Sequence, residues 1–128
     1  MIVLDASVLI AHLEAGDPHH ARAETLLADL AREELGASPL TLAEVLVGPA
    51  RAGRVDRATA VLDQLQVRSV PLPEDAPLRL ALLRAGTNLK LPDCAVLLAA
   101  ETADAALASF DGRLCTAATE RGQVVWTR

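Results

Sequence analysis

The sequence has very few aromatic residues: its 128 positions include one Phe, one Trp and no Tyr. A platform of aromatic side chains for stacking nucleic-acid bases is therefore not expected. Positive charge is also in the minority, with 12 Lys and Arg against 17 Asp and Glu and a net charge of −5. This balance argues against binding nucleic acid through bulk charge alone. A bound divalent cation would nevertheless invert the local field at an acidic site.

Cysteines and long apolar runs are equally scarce. The two cysteines, Cys94 and Cys115, form no CxxC pair, so we expect reduced thiols rather than a disulfide framework. No run of about 18 apolar residues exists, so no membrane span is expected, and the features together predict a cytoplasmic protein. Apolar residues still make up 52% of the chain. We therefore expect a single domain over residues 1–128 with a core of Ala, Leu and Val.

Strand-like and helix-like segments alternate along the chain. The apolar run Ile2-Val3-Leu4 is typical of a strand buried on both faces. Four more short strands are predicted at 36–40, 67–70, 105–109 and 123–126. Helical spacing of apolar residues predicts the connecting helices. One of them opens at Leu91-Pro92-Asp93, and because its segment from Cys94 to Ala100 is apolar all round it should be central. The alternation predicts a three-layer α/β/α fold around a parallel sheet of about five strands.

Two finer predictions concern helix ends and faces. Gly48-Pro49 is expected to break the helix that follows Thr41, because proline lacks a backbone N–H and clashes with the preceding turn. The helix over about 75–85 is expected to face inward through four residues: Leu78, Ala81, Leu82 and Ala85.

Four acidic residues fall at or near junctions between these elements: Asp5, Glu44, Asp93 and Asp111. Each has a purely structural explanation. Asp5 and Asp111 are suitable helix N-caps, Glu44 has capping-box spacing from Thr41, and Asp93 lies in a helix first turn that favours negative charge. In a parallel sheet, however, the junctions after strands open on one edge, so the four acids are expected to meet there.

Clustered carboxylates repel one another, and a hard divalent cation relieves that repulsion. Carboxylate oxygens and water suit Mg²⁺ or Mn²⁺ better than Zn²⁺. The chemistry that such a centre supports is hydrolysis at phosphorus by activated water. A basic stripe with three-residue spacing, Arg51, Arg54 and Arg57, is the best local candidate for contacting phosphates. A solvated helix face is its structural alternative.

The segments around the four acids resemble those of PIN-domain proteins. The opening Met1-Ile-Val-Leu-Asp5-Ala-Ser7-Val-Leu-Ile-Ala is similar to the family's first motif, and three further segments resemble the second to fourth motifs: Leu40-Thr-Leu-Ala-Glu44-Val, Leu89-Lys-Leu-Pro92-Asp93-Cys-Ala-Val and Leu107-Ala-Ser109-Phe-Asp111-Gly-Arg113. Each motif alone is weak, but the four occur in order along the whole chain.

At this length the chain resembles the VapC toxins of type II toxin–antitoxin modules. The resemblance implies a Mg²⁺- or Mn²⁺-dependent endoribonuclease that cuts structured RNA such as tRNA or rRNA. It also implies a homodimer inhibited by a VapB-type antitoxin. Asp5 and Asp93 would be the main metal ligands, with Glu44 and Asp111 binding through water or holding a second ion. Ser7 and Ser109 match positions whose side chains hydrogen-bond to the acids.

Two other functions are compatible with parts of the pattern. A phosphatase of the haloacid-dehalogenase type also begins with an Asp after its first strand. That class requires a second acid two residues later, where this sequence has Ser7. A catalytically silent PIN-like module that binds RNA or protein is the main alternative, although such a module would be expected to have lost some of its acids.

Overall fold

The computed structural model describes residues 1–127. Its core is a sheet of five parallel strands, in the order β3-β2-β1-β4-β5. The strands are β1 (Ile2–Leu4), β2 (Leu35–Ala37), β3 (Arg68–Ser69), β4 (Ala106–Ala108) and β5 (Val125–Trp126). In register, Val3 of β1 lies opposite Gly36 on one side and Leu107 on the other. The predicted parallel sheet is confirmed, and β1 covers the residues expected for it, whereas the four later strands are shorter than their sequence patterns indicate.

Helices cover both faces of the sheet and complete the predicted three layers. They are α1 (Ala6–Leu13), α2 (His20–Asp29), α3 (Pro39–Arg51), α4 (Val55–Gln64), α5 (Ala76–Thr87), α6 (Leu91–Ala103) and α7 (Gly112–Glu120). Side chains alternate along a strand. Ile2 and Leu4 therefore pack with residues from α1 to α4, whereas Val3 packs with residues from α5 to α7.

Helix α6 is the most buried helix, and residues 94–100 are buried without interruption. A continuous apolar sequence requires such cover on all sides. At 13 residues, α6 is nonetheless short. Among residues 1–127, no helix combines the length and the apolar character that crossing a bilayer requires.

The expected helix break at Gly48-Pro49 is wrong, because α3 continues through both residues to Arg51. Pro49 lies in the last turn, where its missing N–H removes one intrahelical bond. The carbonyls of Gly48 and Pro49 still accept bonds from the N–H groups of Ala52 and Arg54, at 3.1 and 2.8 Å. Packing of α3 against its neighbours thus outweighs a local breaking signal.

The predicted inward face of α5 is also wrong. Leu78 and Leu82 are each 63% exposed, and Ala81 and Ala85 are exposed as well. The helix instead buries Ala76 and Leu83, with Leu80 partly buried beside them. Leucines occur on two faces of α5, so helical periodicity alone could not decide which face meets α6.

Candidate active site

The strand order creates a switch point between β1 and β4. The chain proceeds from β1 to β2 and β3 on one side, and then adds β4 and β5 on the other side of β1. In open α/β sheets, ligands bind outside the carboxyl ends of the strands at such a point. Asp5 directly follows β1, and Ser109 and Asp111 follow β4. Two of the four predicted acids thus flank the switch point.

Two serines hold the carboxylate of Asp5. The hydroxyls of Ser7 and Ser109 each donate to Asp5 Oδ2 at 2.7 Å. The Ser7 hydroxyl accepts the N–H of Phe110 at 3.0 Å, and the Ser109 hydroxyl accepts the N–H of Asp111 at 2.9 Å. The Asp5 carboxylate is therefore tied to the loop after β4, and within residues 1–127 its Oδ1 receives no hydrogen bond.

The capping explanation holds for Asp111 but not for Asp5. Asp111 Oδ1 accepts the N–H groups of Arg113 and Leu114 at 3.0 and 3.3 Å, so it caps α7 as well as facing the switch point. Asp5 occupies the N-cap position of α1, yet its side chain makes no capping hydrogen bond. With 5% of its surface exposed, Asp5 is a buried acid whose hydrogen bonds come from serine hydroxyls.

Asp93 lies at the start of a helix that leads into β4, whereas Asp5 and Asp111 follow the strands β1 and β4. Helix α6 must run back along the sheet before β4 begins, so the start of α6 lies at the carboxyl edge of the sheet. Burial raises the pKa of Asp93, and the charges of Asp5 and Asp111 raise it further, while Lys90 and Arg113 lower it. Asp93 therefore lies within electrostatic range of both Asp5 and Asp111.

Glu44 has no capping role. Ser38 is the N-cap of α3, with its hydroxyl accepting the N–H of Leu40 at 3.2 Å, and Thr41 lies inside the helix. The predicted capping box between Thr41 and Glu44 is therefore wrong, because the helix begins three residues earlier than expected. Partial burial raises the pKa of Glu44, and the charges of Asp5 and Asp93 add to the rise.

The donor set suits a hard divalent ion, but the ligands are not preassembled. Carboxylate oxygens are the preferred protein ligands of Mg²⁺ and Mn²⁺, and a cation would offset the repulsion that raises two of the pKa values. Among residues 1–127, however, no three His, Cys, Asp or Glu side chains form a group that could hold a metal ion as they stand. Binding would have to draw side chains together.

The family model of the PIN domain matches residues 2–120, nearly the whole chain. The chain belongs to the PIN domain family. The resemblance expected from the four acidic motifs is thereby confirmed at the family level. No curated protein sequence matches the chain significantly.

Solved structures similar to this PIN domain include several toxin–antitoxin proteins. A toxin–antitoxin complex from Klebsiella pneumoniae is 24% identical, with a TM-score of 0.73 and 87% of each chain covered. VapBC2 from Rickettsia felis, bound to a DNA fragment from its promoter, is 14% identical, with a TM-score of 0.74 and 98% of each chain covered. VapC20 from Mycobacterium tuberculosis, a sarcin-ricin loop cleaving toxin, is 19% identical, with a TM-score of 0.71 and 91% of this chain and 95% of that chain covered. At these identities the likeness establishes the fold.

Two basic residues near the acids, Lys90 and Arg113, were not predicted from the sequence, in which the stripe of Arg51, Arg54 and Arg57 is the denser basic pattern. Lys90 and Arg113 act on the pKa of Asp93, whereas none of the three stripe arginines affects the pKa of Asp93 or Glu44. The stripe residues are exposed, and Arg54 and Arg57 line a separate cavity of about 320 Å³ with His12 and His20. Lys90 and Arg113 both lie within the quoted motifs, so their positions were visible in the sequence.

Proposed function

We propose that this PIN domain is a Mg²⁺- or Mn²⁺-dependent endoribonuclease that acts as the toxin of a VapBC-type module. The observation that carries the proposal is the buried carboxylate of Asp5 at the sheet's switch point, which the hydroxyls of Ser7 and Ser109 bind through Oδ2 beside the loop that carries Asp111. The charges of Asp5 and Asp111 also raise the pKa of Asp93. Helix capping and the helix dipole alone do not explain why three carboxylates that repel one another lie within electrostatic range. A site for a cation and a phosphodiester explains them.

Each residue of the site has a distinct role in this proposal. Asp5 and Asp93 would hold the ion directly, with Asp5 oriented through Oδ2 by Ser7 and Ser109 so that Oδ1 is available. Glu44 and Asp111 would hold water next to the ion. When bound, a divalent ion supplies water activation and charge compensation at phosphorus.

The proposed partners are structured RNA, a VapB-type antitoxin and a second copy of the chain. The similar folds of known toxin–antitoxin complexes support the antitoxin. The sarcin-ricin loop cleaving toxin supports an RNA loop as substrate. Self-association is supported by Leu78 and Leu82, which lie one turn apart on α5 and are largely exposed. RNA contact by the Arg51, Arg54 and Arg57 stripe stays a prediction.

The direct test is RNA cleavage by the purified protein with Mg²⁺ or Mn²⁺, with and without excess EDTA. Asp5→Asn should lower the rate of cleavage about 10³-fold. The matched control is Asp104→Asn, because Asp104 lies beyond the other end of α6, about 16 Å from Asp93 at 1.5 Å per residue. Asn tolerates the positive φ of 49° at this position. Undiminished cleavage by Asp5→Asn, or by the wild type in EDTA, would contradict the proposal.

One observation favours a catalytically silent PIN-like binding module instead. The part of the chain that the structure describes contains no preassembled group of three metal-binding side chains. Titration calorimetry with Mn²⁺ separates the two functions. Binding that is lost in Asp93→Asn and kept in Asp104→Asn supports the nuclease, whereas a folded wild-type protein that binds no Mn²⁺ supports the silent module.

A further inference from the structure

A cavity of about 480 Å³ lies between the C-terminal end of α5 and the outer face of α7. Its lining combines backbone, hydroxyl and charged groups: Gly86, Thr87, Leu89, Gly112, Arg113, Thr116, Ala117, Glu120 and Arg121. Ligand sites for small molecules typically have volumes of about 300–1,000 Å³, so one nucleotide fits this space.

The cavity adjoins the acidic site at two places. Gly112 of its lining directly follows Asp111, and Leu89 of its lining directly precedes Lys90. Arg113 belongs to both regions, because it lines the cavity and also acts electrostatically on Asp93. A chain that lies across the acids can therefore continue into the cavity.

Four basic residues lie in or beside this region: Lys90 and Arg113 at the junction, Arg84, whose guanidinium donates to the Leu89 carbonyl at 2.8 Å, and Arg121. Arg121 pairs with Glu101 at 2.6 Å, and Glu101 also pairs with Arg79 at 3.6 Å, so one carboxylate serves two arginines. Neither Arg113 nor Lys90 forms a salt bridge within residues 1–127. Both are exposed, although the chain carries an excess of acids. Glu120 is the one acid of the lining and follows Arg113 by two helical turns, so the rim nearest the acids is cationic.

We propose that the cavity between α5 and α7 holds the nucleotide next to the scissile phosphodiester, with Arg113 and Lys90 contacting its phosphate. This inference rests on the proposed ribonuclease function and adds the path of the substrate. Thr87 and Thr116 provide hydroxyl groups for the ribose or base edge. The lining includes no aromatic residue, so the planar groups that it offers for stacking a base are the guanidinium groups of Arg113 and Arg121.

The geometry favours this cavity over the arginine stripe as the substrate path. Arg51 is seven residues beyond Glu44 on α3, which places their backbones about 10 Å apart along the helix. Arg113, in contrast, donates its backbone N–H to Asp111, one of the four acids, at 3.0 Å. For a phosphate between Arg113 and the acids, Arg113 would compensate the negative charge, and the acids would hold the divalent ion beside the bond to be hydrolysed.

The test compares charge removal with cavity filling. A hairpin RNA that the wild type cleaves with Mn²⁺ is first selected from a pool with randomised loops. KM and kcat are then measured on it for Arg113→Ala, for Arg113→Lys and for Thr116→Trp, which fills the cavity without removing a charge. The matched controls are Arg32→Ala, an exposed arginine elsewhere, and Thr119→Trp, an exposed threonine of α7 outside the cavity.

The expected result is that Arg113→Ala and Thr116→Trp each raise KM about tenfold with kcat within about threefold of wild type. Arg113→Ala should also reduce the slope of log affinity against log salt by about one, which Arg113→Lys restores. Both controls should stay within about twofold of wild type, since neither touches the proposed path. Circular dichroism checks that every variant is folded.

Three results overturn the inference. If both Arg113→Ala and Thr116→Trp have the wild-type KM, the nucleotide binds outside the cavity, and the proposed ribonuclease function is unaffected. Wild-type cleavage by these variants with loss of antitoxin binding would assign the cavity to a protein partner. Failure of the wild type to cleave any hairpin in the pool, with Mn²⁺ present, would remove the proposed function and the cavity assignment together.

Discussion

The two sides of the acidic site differ in how firmly the fold holds them. On the side of β1 and β4, Asp5 is 5% exposed and accepts hydrogen bonds from two serine hydroxyls. Each of these hydroxyls in turn accepts a hydrogen bond from a backbone N–H group. On the side of α3, Glu44 is exposed and makes no hydrogen bond within residues 1–127. The sheet therefore determines the position of one acid, whereas the helix only brings the other into range.

This difference follows from the costs of burial and order. A buried carboxylate must be hydrogen-bonded, because its desolvation is otherwise too unfavourable. An exposed glutamate keeps its rotamer freedom, and immobilising it costs conformational entropy. A divalent ion would thus meet one fixed ligand in Asp5 and recruit the others, consistent with the lack of a preassembled metal group among residues 1–127.

Loss of a carboxylate should lower the rate of catalysis far more at Asp5, on the fixed side formed by β1 and β4, than at Glu44 on α3. We expect Asp5→Asn to lower kcat/KM about 10³-fold, which is the scale for removing a principal electrostatic group. Glu44→Gln should lower it only about tenfold, as for groups that act through water. The measurement is cleavage of one RNA hairpin at saturating Mn²⁺. Equal losses in the two variants would show that the exposed acid is as important to the reaction as the buried one.

Stability should depend on the serine network of the fixed side. Ser109→Ala removes a donor to Asp5 and leaves the N–H of Asp111 without its acceptor. We expect the free energy of unfolding to fall by about 1–3 kcal/mol, the range for leaving buried polar groups unsatisfied. Urea denaturation in EDTA measures it, with Ser69→Ala on exposed β3 as the control. A loss equal to that of Ser69→Ala would mean that water replaces the hydroxyl readily.

The sequence was most informative where burial and alternation act together. Ile2-Val3-Leu4 and the central α6 were predicted because a segment covered on all sides must be apolar throughout. The meeting of the junction residues followed from the topology rules for parallel sheets. The presence of Asp93 at this edge was harder to predict, since it depends on α6 running back along the sheet before β4.

Local signals failed where tertiary contacts decided the outcome. Pro49 marks a helix break, yet packing carries α3 past it. The leucines of α5 lie on two faces of the helix. Packing against α6 decides that Leu83 is buried and Leu82 is exposed. The relation between Arg113 and Asp93 was also beyond reach, because electrostatic proximity across two helices has no signature in spacing.

The pH dependence of stability should reveal the repulsion at Asp93. Its pKa is raised above the ordinary value of 3.8, so its charged form destabilises the metal-free fold. That penalty is absent below pH 3.8 and grows as the pH rises through the raised pKa. At pH 7 in EDTA, Asp93→Asn should therefore be more stable than wild type by less than about 1 kcal/mol, since solvent screens a half-buried group. The gain should vanish in acid, and a variant less stable than wild type at pH 7 would contradict this account.

The smallest effect is expected at Glu44, on the exposed side. The pKa of Glu44 is also raised, first by partial desolvation of a side chain that stays mostly in contact with water and then by the charges of Asp5 and Asp93. Glu44→Gln should therefore stabilise the metal-free protein in the same direction. The gain should stay below about 0.5 kcal/mol, because an exposed side chain can swing away from its neighbours and is screened by water. Urea denaturation at pH 7 in EDTA, run beside Asp93→Asn, gives the comparison. A larger gain at Glu44 than at Asp93 would mean that α3 is held against the acids as firmly as the sheet holds Asp5, and that the two sides of the site do not differ in rigidity.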